Sequence, residues 1–172
     1  KKHVAKDLPP KIERIAPCKL TGDQLAVYKQ VLEDTRNRIE QMVEKRGFNQ
    51  SRMEILKTLL RLRQTCNHID LLKLEGVKAK KPSGKMDLFF SLLQEAIDSR
   101  HRILVFSQFT GMLAILQKEM KARKLTYCYL DGGTKNRQDV VRLFNRDHSI
   151  PVFLMSLKAG GTGLNLTGAD MV

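Results

Sequence analysis

Between Ser156 and Leu166 the chain reads SLKAGGTGLNL, eleven residues that hold Gly160, Gly161 and Gly163, the hydroxyls of Ser156 and Thr162, and the cation of Lys158. Glycines at this density let a backbone take positive φ and approach a ligand with its N–H groups exposed, an arrangement that suits phosphate oxygens. Lys158 adds a point charge at the same place. The spacing matches neither common phosphate loop. No Gly-Lys-Ser/Thr follows as a Walker A loop requires, and Leu166 stands where GxGxxG needs its third glycine. A turn that only lets the chain leave a strand would use the same glycines.

Two other polar stretches follow apolar runs in the same way. SQFTG, after RILVF, offers Ser107, Gln108 and Thr110, with Thr110 placed to cap a helix. DGGTKNR, after TYCYL, offers Asp131, Thr134 as a cap and Arg137 in a first helical turn. Each also has a plainer use: Asp131 as a turn former, Gln108 in satisfying turn backbone, Arg137 along a helix surface. Cys66 and His68 are two possible metal ligands without further partners at useful spacing, so they read as structural. Cys18, Cys66 and Cys128 are isolated; they suggest neither a zinc ribbon nor a disulfide framework and fit a reducing compartment.

With 172 residues the chain can bury one core, or one domain with an appendage. Its formal charge of +13 favours polyanionic partners, nucleic acid first. The surplus is uneven, with 19 basic against 10 acidic side chains (+9) in residues 1–82 and 12 against 8 (+4) in residues 83–172. No apolar run approaches the roughly 20 residues that span a bilayer, and the basic N-terminus lacks a signal-peptide core, so a soluble chain without a membrane partner is expected.

These loops need elements to hold them. Residues 1–20, with Pro9, Pro10 and Pro17, read as a connector from a preceding unit with a short strand-like piece. Thr21 and Gln24 form a capping box ahead of a helix with Leu25, Tyr28, Leu32, Ile39 and Val43 on one side and Gly47 as its stop. Ser51 and Glu54 repeat the box before a stripe of Ile55, Leu59, Leu62, Cys66 and Ile69. A helical hairpin over 21–75 is expected from this, then a linker at 76–84. From residue 85 helices alternate with short apolar strands, RILVF, TYCYL and PVFLM, which predicts an α/β fold with a parallel sheet flanked by helices. GADMV reads as the start of another strand, as if the sheet were cut off there. In such sheets ligands sit beyond the carboxyl ends of the strands, where all three loops fall.

SGKMDLFFSLL, ILVFSQF, YLDGGTKNR and FLMSLKAGGTGLNLTGADMV, preceded by LRLRQTCNH, together resemble the second ATPase lobe of the Swi/Snf family of DNA translocases, within the superfamily-two helicase-like ATPases. The resemblance runs from DLPPKIE to the C-terminus. It implies a RecA-like lobe over 85–172 with the hairpin as a protrusion, a first RecA-like lobe of the same protein as partner, and ATP with magnesium held mainly by that first lobe. It implies that Gly161, Gly163, Asn165 and Arg137 face the nucleotide. Ser107, Gln108, Thr110, Ser156, Lys158, Gly160 and Lys85 are implied to face the DNA backbone. Arg61 and Arg63 are expected to line a helix.

The family's Walker A lysine, acidic metal box and arginine-finger motif are not in these residues, so this stretch alone is expected to be catalytically silent. The function implied is ATP-driven translocation on double-stranded DNA, with a protein–DNA complex as the thing remodelled. A non-catalytic nucleic-acid-binding or protein-interaction module on the same fold is the alternative, and a Rossmann enzyme fails on its glycine spacing. The short hairpin points to a compact bacterial version, DNA-associated in the cytoplasm; a eukaryotic one would be nuclear.

Overall fold

The computed structural model describes residues 12–76, 79–161 and 163–172, with the Arg46 side chain aside. The expected connector therefore lies mostly outside the described residues, and residues 12–20 form no regular element. Helix α1 (Gly22–Asn67) opens with the expected capping box, Thr21 accepting from Gln24 N while the Gln24 amide accepts from Thr21 N. At Gly47 the helix breaks in the left-handed region, φ 74°, and the chain doubles back. Gln24 thereby meets Thr65, and Arg38 meets Glu54 at 3.0 Å.

The second arm is helical straight after Gly47. Ser51 is consequently interior, its hydroxyl donating to Gly47 O at 3.0 Å, and is no cap. The seam between the arms also differs from the expected leucine stripe. Gln24, Val27, Val31, Thr35, Ser51, Thr58, Leu62 and Thr65 are buried, whereas Leu25, Leu32 and Leu59 are 45–51% exposed. Thr35, Ser51, Thr58 and Thr65 each bond a carbonyl four residues back in their own arm, which satisfies their hydroxyls locally and lets the arms approach closely.

A 3-10 turn (Ile69–Leu72) ends the hairpin. The described part of the linker is pinned to the hairpin base: Lys81 N donates to Asp23, Thr21 donates to Lys81 O, and Ile69 N donates to Pro82 O. Then come α2 (Gly84–Asp98), β1 (Ile103–Ser107), α3 (Thr110–Ala122), β2 (Tyr127–Leu130), α4 (Arg137–Arg146), β3 (Val152–Ser156) and α5 (Leu157–Gly160). The strands form a parallel sheet in the order β1-β3-β2; within GADMV, Met171 adds an isolated parallel bridge to Ile103.

Strand β3 is buried along its whole length. Val152 and Leu154 join Phe90, Leu93, Leu113 and Met120 on one face. Phe153 and Met155 join Leu130, Val141 and Phe144 on the other. Arg102 closes this second face, its guanidinium 4.0 Å from the Phe144 ring centroid and donating to the carbonyls of Phe144, Asp147 and Ile150 at the end of α4.

Gln24 joins hairpin and sheet unit. It is fully buried, donates to Thr65 O at 2.7 Å and accepts from Gly84 N at 2.9 Å, a first-turn N–H of α2. In Gln24→Leu both groups lose these partners, and the expected loss is about 1–3 kcal/mol of stability. An unchanged urea midpoint would contradict this.

His68 is 2% exposed, its Nδ1 accepting from Asp70 N at 3.2 Å. Burial holds the imidazole below its ordinary pKa, against smaller opposing effects of Asp70 and Glu119. The native ring thus binds protons less readily than the unfolded one. Its contribution is complete above about pH 6.5 and declines as pH falls from there to the lowered native value. Between about pH 7.5 and about pH 5.5, the urea midpoint should drop more in the wild type than in His68→Gln. Equal drops would contradict the assignment.

Candidate functional site

Because β1, β3 and β2 are parallel and in register, their loops emerge at one edge of the sheet. Ser107 pairs with Ser156 and Leu130 with Met155, so SQFTG and DGGTKNR flank the glycine loop on either side. That edge is where open parallel sheets bind ligands.

The residues of the glycine loop divide by role. Ser156 is 4% exposed and its Oγ accepts from Ala159 N at 3.3 Å, capping α5, so its hydroxyl is turned inward. Gly160 is a packing residue: a Cβ there would lie 2.5 Å from Phe106 Cε1 and 3.0 Å from Met155 Sδ. Lys158 and Gly161 are exposed. Gly163 has φ 63°, which favours glycine, and nothing lies within 4 Å of a Cβ built on it, so its backbone is open. Thr162 lies outside the described residues. Asn165 is exposed, and its carbonyl accepts from Asn145 Nδ2 at 2.9 Å while Asn145 Oδ1 accepts from Gly168 N at 3.0 Å. Asn145, on α4, thus holds the loop from below.

Arg137 is the first residue of α4 and donates through Nη2 to Ala159 O at 2.6 Å, tying DGGTKNR to the glycine loop. Its Nε is buried with no hydrogen-bond partner among the described residues. Around it opens a recess of about 380 Å³ lined by Lys135, Arg137, Arg142 and Leu164. Its one lining carboxylate, Asp139, stands 3.4 Å from Arg142. Three cations and an unsatisfied guanidinium N–H fit an anionic ligand.

The expected cap at Thr134 is not seen. Thr134 accepts from Asp131 N and donates to Asp131 Oδ1, closing a turn, and α4 starts three residues later behind Asn136. Asp131 is the turn former, taking Gly133 N on Oδ1 and Tyr129 OH on Oδ2, each at 2.9 Å. The Tyr129 bond is the main cause holding Asp131 below the usual carboxylate range, while burial, aided by that bond, pushes Tyr129 up to about 12. Thr110 is likewise no cap: Ser107 Oγ already accepts from Phe109 N at 3.1 Å, and α3 begins with no side-chain cap. Thr110 is exposed.

On the β1 side the hairpin takes part. Gln108 Oε1 accepts from Arg63 Nη2, and the Arg63 guanidinium lies 5.8 Å from the Phe109 ring centroid. Lys85 Nζ donates to Asn67 Oδ1 at 3.1 Å, and Asn67 Nδ2 donates to Arg63 O at 2.8 Å. Ser107, Gln108 and Lys85 thus gather with Arg63 around a cleft of about 660 Å³. Arg137 and the exposed glycines lie toward the other flank. Sequence reasoning gave Arg63 no place in the site and passed over Phe106 and Asn145; only the position of Phe106, at the end of an apolar run, marked it.

Among the described residues no helix is long and apolar enough to cross a membrane. The family model described as helicase conserved C-terminal domain matches residues 84–172, and that described as SNF2-related domain matches residues 1–71. The chain is 37% identical over 182 residues to DNA excision repair protein ERCC-6 of Homo sapiens, covering 96% of this chain and 12% of that protein. It is 33% identical over 190 residues to transcription regulatory protein SNF2 of Saccharomyces cerevisiae, covering 100% of this chain and 11% of that one. The Sulfolobus solfataricus SWI2/SNF2 ATPase core in complex with dsDNA superposes with a TM-score of 0.78 at 32% identity, over 99% of this chain and 36% of that one. The C-terminal domain of the Sulfolobus ATPase gives 0.75 at 34%, over 88% and 66%. These eukaryotic and archaeal sources give no support to the expected bacterial version. The chain belongs to the Swi/Snf (SNF2) family, and residues 84–172 form its helicase conserved C-terminal domain, a RecA-like lobe.

Proposed function

We propose that the complete protein is an ATP-driven translocase of double-stranded DNA and that this chain supplies its second motor lobe. The observation that carries the reading is the convergence of three strand-end loops on one edge, with the exposed cation of Lys158, the open backbone of Gly163 and the Arg137 recess side by side. In this reading residues 1–20 connect from a first lobe, 21–75 form a protrusion, 76–84 a linker and 85–172 the lobe.

ATP with magnesium, held mainly by the first lobe, would supply the phosphoanhydride bond whose hydrolysis drives stepping. On this chain, Gly163 presents open backbone toward phosphate oxygens, Gly161, its N–H held by Leu157 O, keeps a side chain out of the nucleotide's way, and Arg137 fixes the loop through Ala159 O and, with Lys135 and Arg142, lends positive charge to the recess. Asn165, held by Asn145, supports the far end of the loop. Ser107, Gln108, Thr110, Lys158 and Lys85 form the DNA-facing side. Ser156 and Gly160 act from within, by capping α5 and by admitting the Phe106 ring. Backbone recognition implies binding that weakens steeply with salt and takes unrelated duplexes alike. The load moved is a protein–DNA complex, in the nucleus of a eukaryote or the cytoplasm of a prokaryote.

Gly161 has φ −71° and is exposed, and a Cβ there would find its nearest atoms at 3.8 and 3.9 Å, so a side chain can be added at this position. Gly161→Val in the intact protein should keep the thermal midpoint and lower DNA-stimulated hydrolysis about tenfold or more, ~1.4 kcal/mol in the barrier. Unchanged turnover would contradict the role given to the loop. No hydrolysis by the wild type, with or without duplex, would favour the non-catalytic module.

A further inference from the structure

The cleft between the hairpin and the sheet edge is lined by Leu59 and Arg63 from α1, Lys85 from α2, Phe106 and Gln108 from the β1 end, and Leu157 from α5. Among the described residues no carboxylate lines it. Arg63 and Lys85 take neutral amides as their side-chain partners, Gln108 and Asn67, and neither has a carboxylate within 4.0 Å among the described residues. Their charge is therefore oriented but not compensated. Leu59, Phe106 and Leu157 are 51%, 36% and 55% exposed, large apolar groups beside two unneutralised cations.

A ligand that matches both features carries anionic groups spaced along an apolar edge. A nucleic-acid strand has this chemistry, with phosphates for the cations and sugar edges for the apolar wall. An acidic peptide matches both only where apolar side chains alternate with its carboxylates. Continuity favours the strand, because Ser107 and Gln108 line the same cleft.

We propose that this cleft is a second wall of the DNA track, in which Arg63 on the helical hairpin and Lys85 on the lobe grip the phosphates of one strand of the duplex while Leu59, Phe106 and Leu157 cover its sugars. The proposal rests on the translocase reading and extends it to the hairpin. Arg63 is then both a phosphate contact and the residue that orients Gln108. Asn67 holds the Lys85 ammonium against the hairpin, and Gln108 holds the Arg63 guanidinium against the lobe, so each cation is anchored across the cleft.

Cys66 lines the cleft, Cys18 is exposed elsewhere and Cys128 is buried, so alkylation read peptide by peptide reports on the cleft with internal controls. In the complete protein, a duplex oligonucleotide should slow alkylation of Cys66 several-fold and leave Cys18 unaffected. In parallel, Arg63→Gln and Lys85→Gln should each reduce the magnitude of the slope of log K against log salt by about 0.9, the value of one phosphate contact. Arg61→Gln, an exposed arginine two residues from Arg63 on the same helix, should leave the slope unchanged. Duplex binding with Cys66 unprotected and the Arg63→Gln slope intact would overturn the cleft assignment alone. Protection of Cys66 by polyglutamate but not by duplex would assign the cleft to an acidic peptide and overturn the proposal. A wild type that binds no duplex would overturn it together with the translocase reading.

Discussion

The site depends on one constraint, the complete burial of β3 in the middle of a parallel sheet. Its alternating side chains belong to two different cores, Val152 and Leu154 to one and Phe153 and Met155 to the other, so the strand cannot slip by one residue without exchanging both sets. Fixed in register with β1 and β2, it brings three loops to one edge. The glycine loop leaves from the best-anchored strand of the three. Its first turn, from Ser156 to Gly160, is locked by a cap, a buried alanine and an aromatic ring, Gly161 N donates back to Leu157 O at 3.3 Å, and the backbone is open at Gly163.

The hairpin is attached to this unit by polar contacts. Gln24 bonds both arms and the start of α2, and Arg63 and Asn67 reach Gln108 and Lys85 on the lobe. Within the hairpin, hydroxyl residues share the seam with Val27, Val31 and Leu62, while Leu25, Leu32 and Leu59 face outward. A mixed seam with polar anchoring at its base gives an arm whose outer leucines are available for contact. Basic groups on it stand opposite basic groups of the lobe, as a polyanion between them requires.

The alternation of helices and strands was legible because apolar runs of four to six residues stood between amphipathic stretches, and the observed strands fall within a residue or two of RILVF, TYCYL and PVFLM. The hairpin was legible from Gly47 and the Thr21 capping box, yet its buried face was misread. Hydrophobic period picks out Leu25 and Leu32, and it is blind to Thr35, Ser51, Thr58 and Thr65, whose burial depends on bonds to their own helix. The same blindness misplaced the caps: Thr134 bonds Asp131, and the turn behind Thr110 is closed by Ser107. Nothing local separates Gly160 from Gly161 and Gly163. The difference comes from Phe106 on another strand, just as Arg63 finds Gln108 across 45 residues.

A motor that steps along duplex DNA must do more than bind DNA or hydrolyse ATP. Displacement of a labelled third strand from a triplex, with the complete protein loaded on the flanking duplex, reads movement itself. The account predicts release of the third strand that requires ATP, requires the duplex flank and stops when a non-hydrolysable nucleotide replaces ATP. Tight duplex binding with the third strand left in place under all three conditions would contradict it, and would leave this lobe as a DNA-binding platform without a motor's stroke.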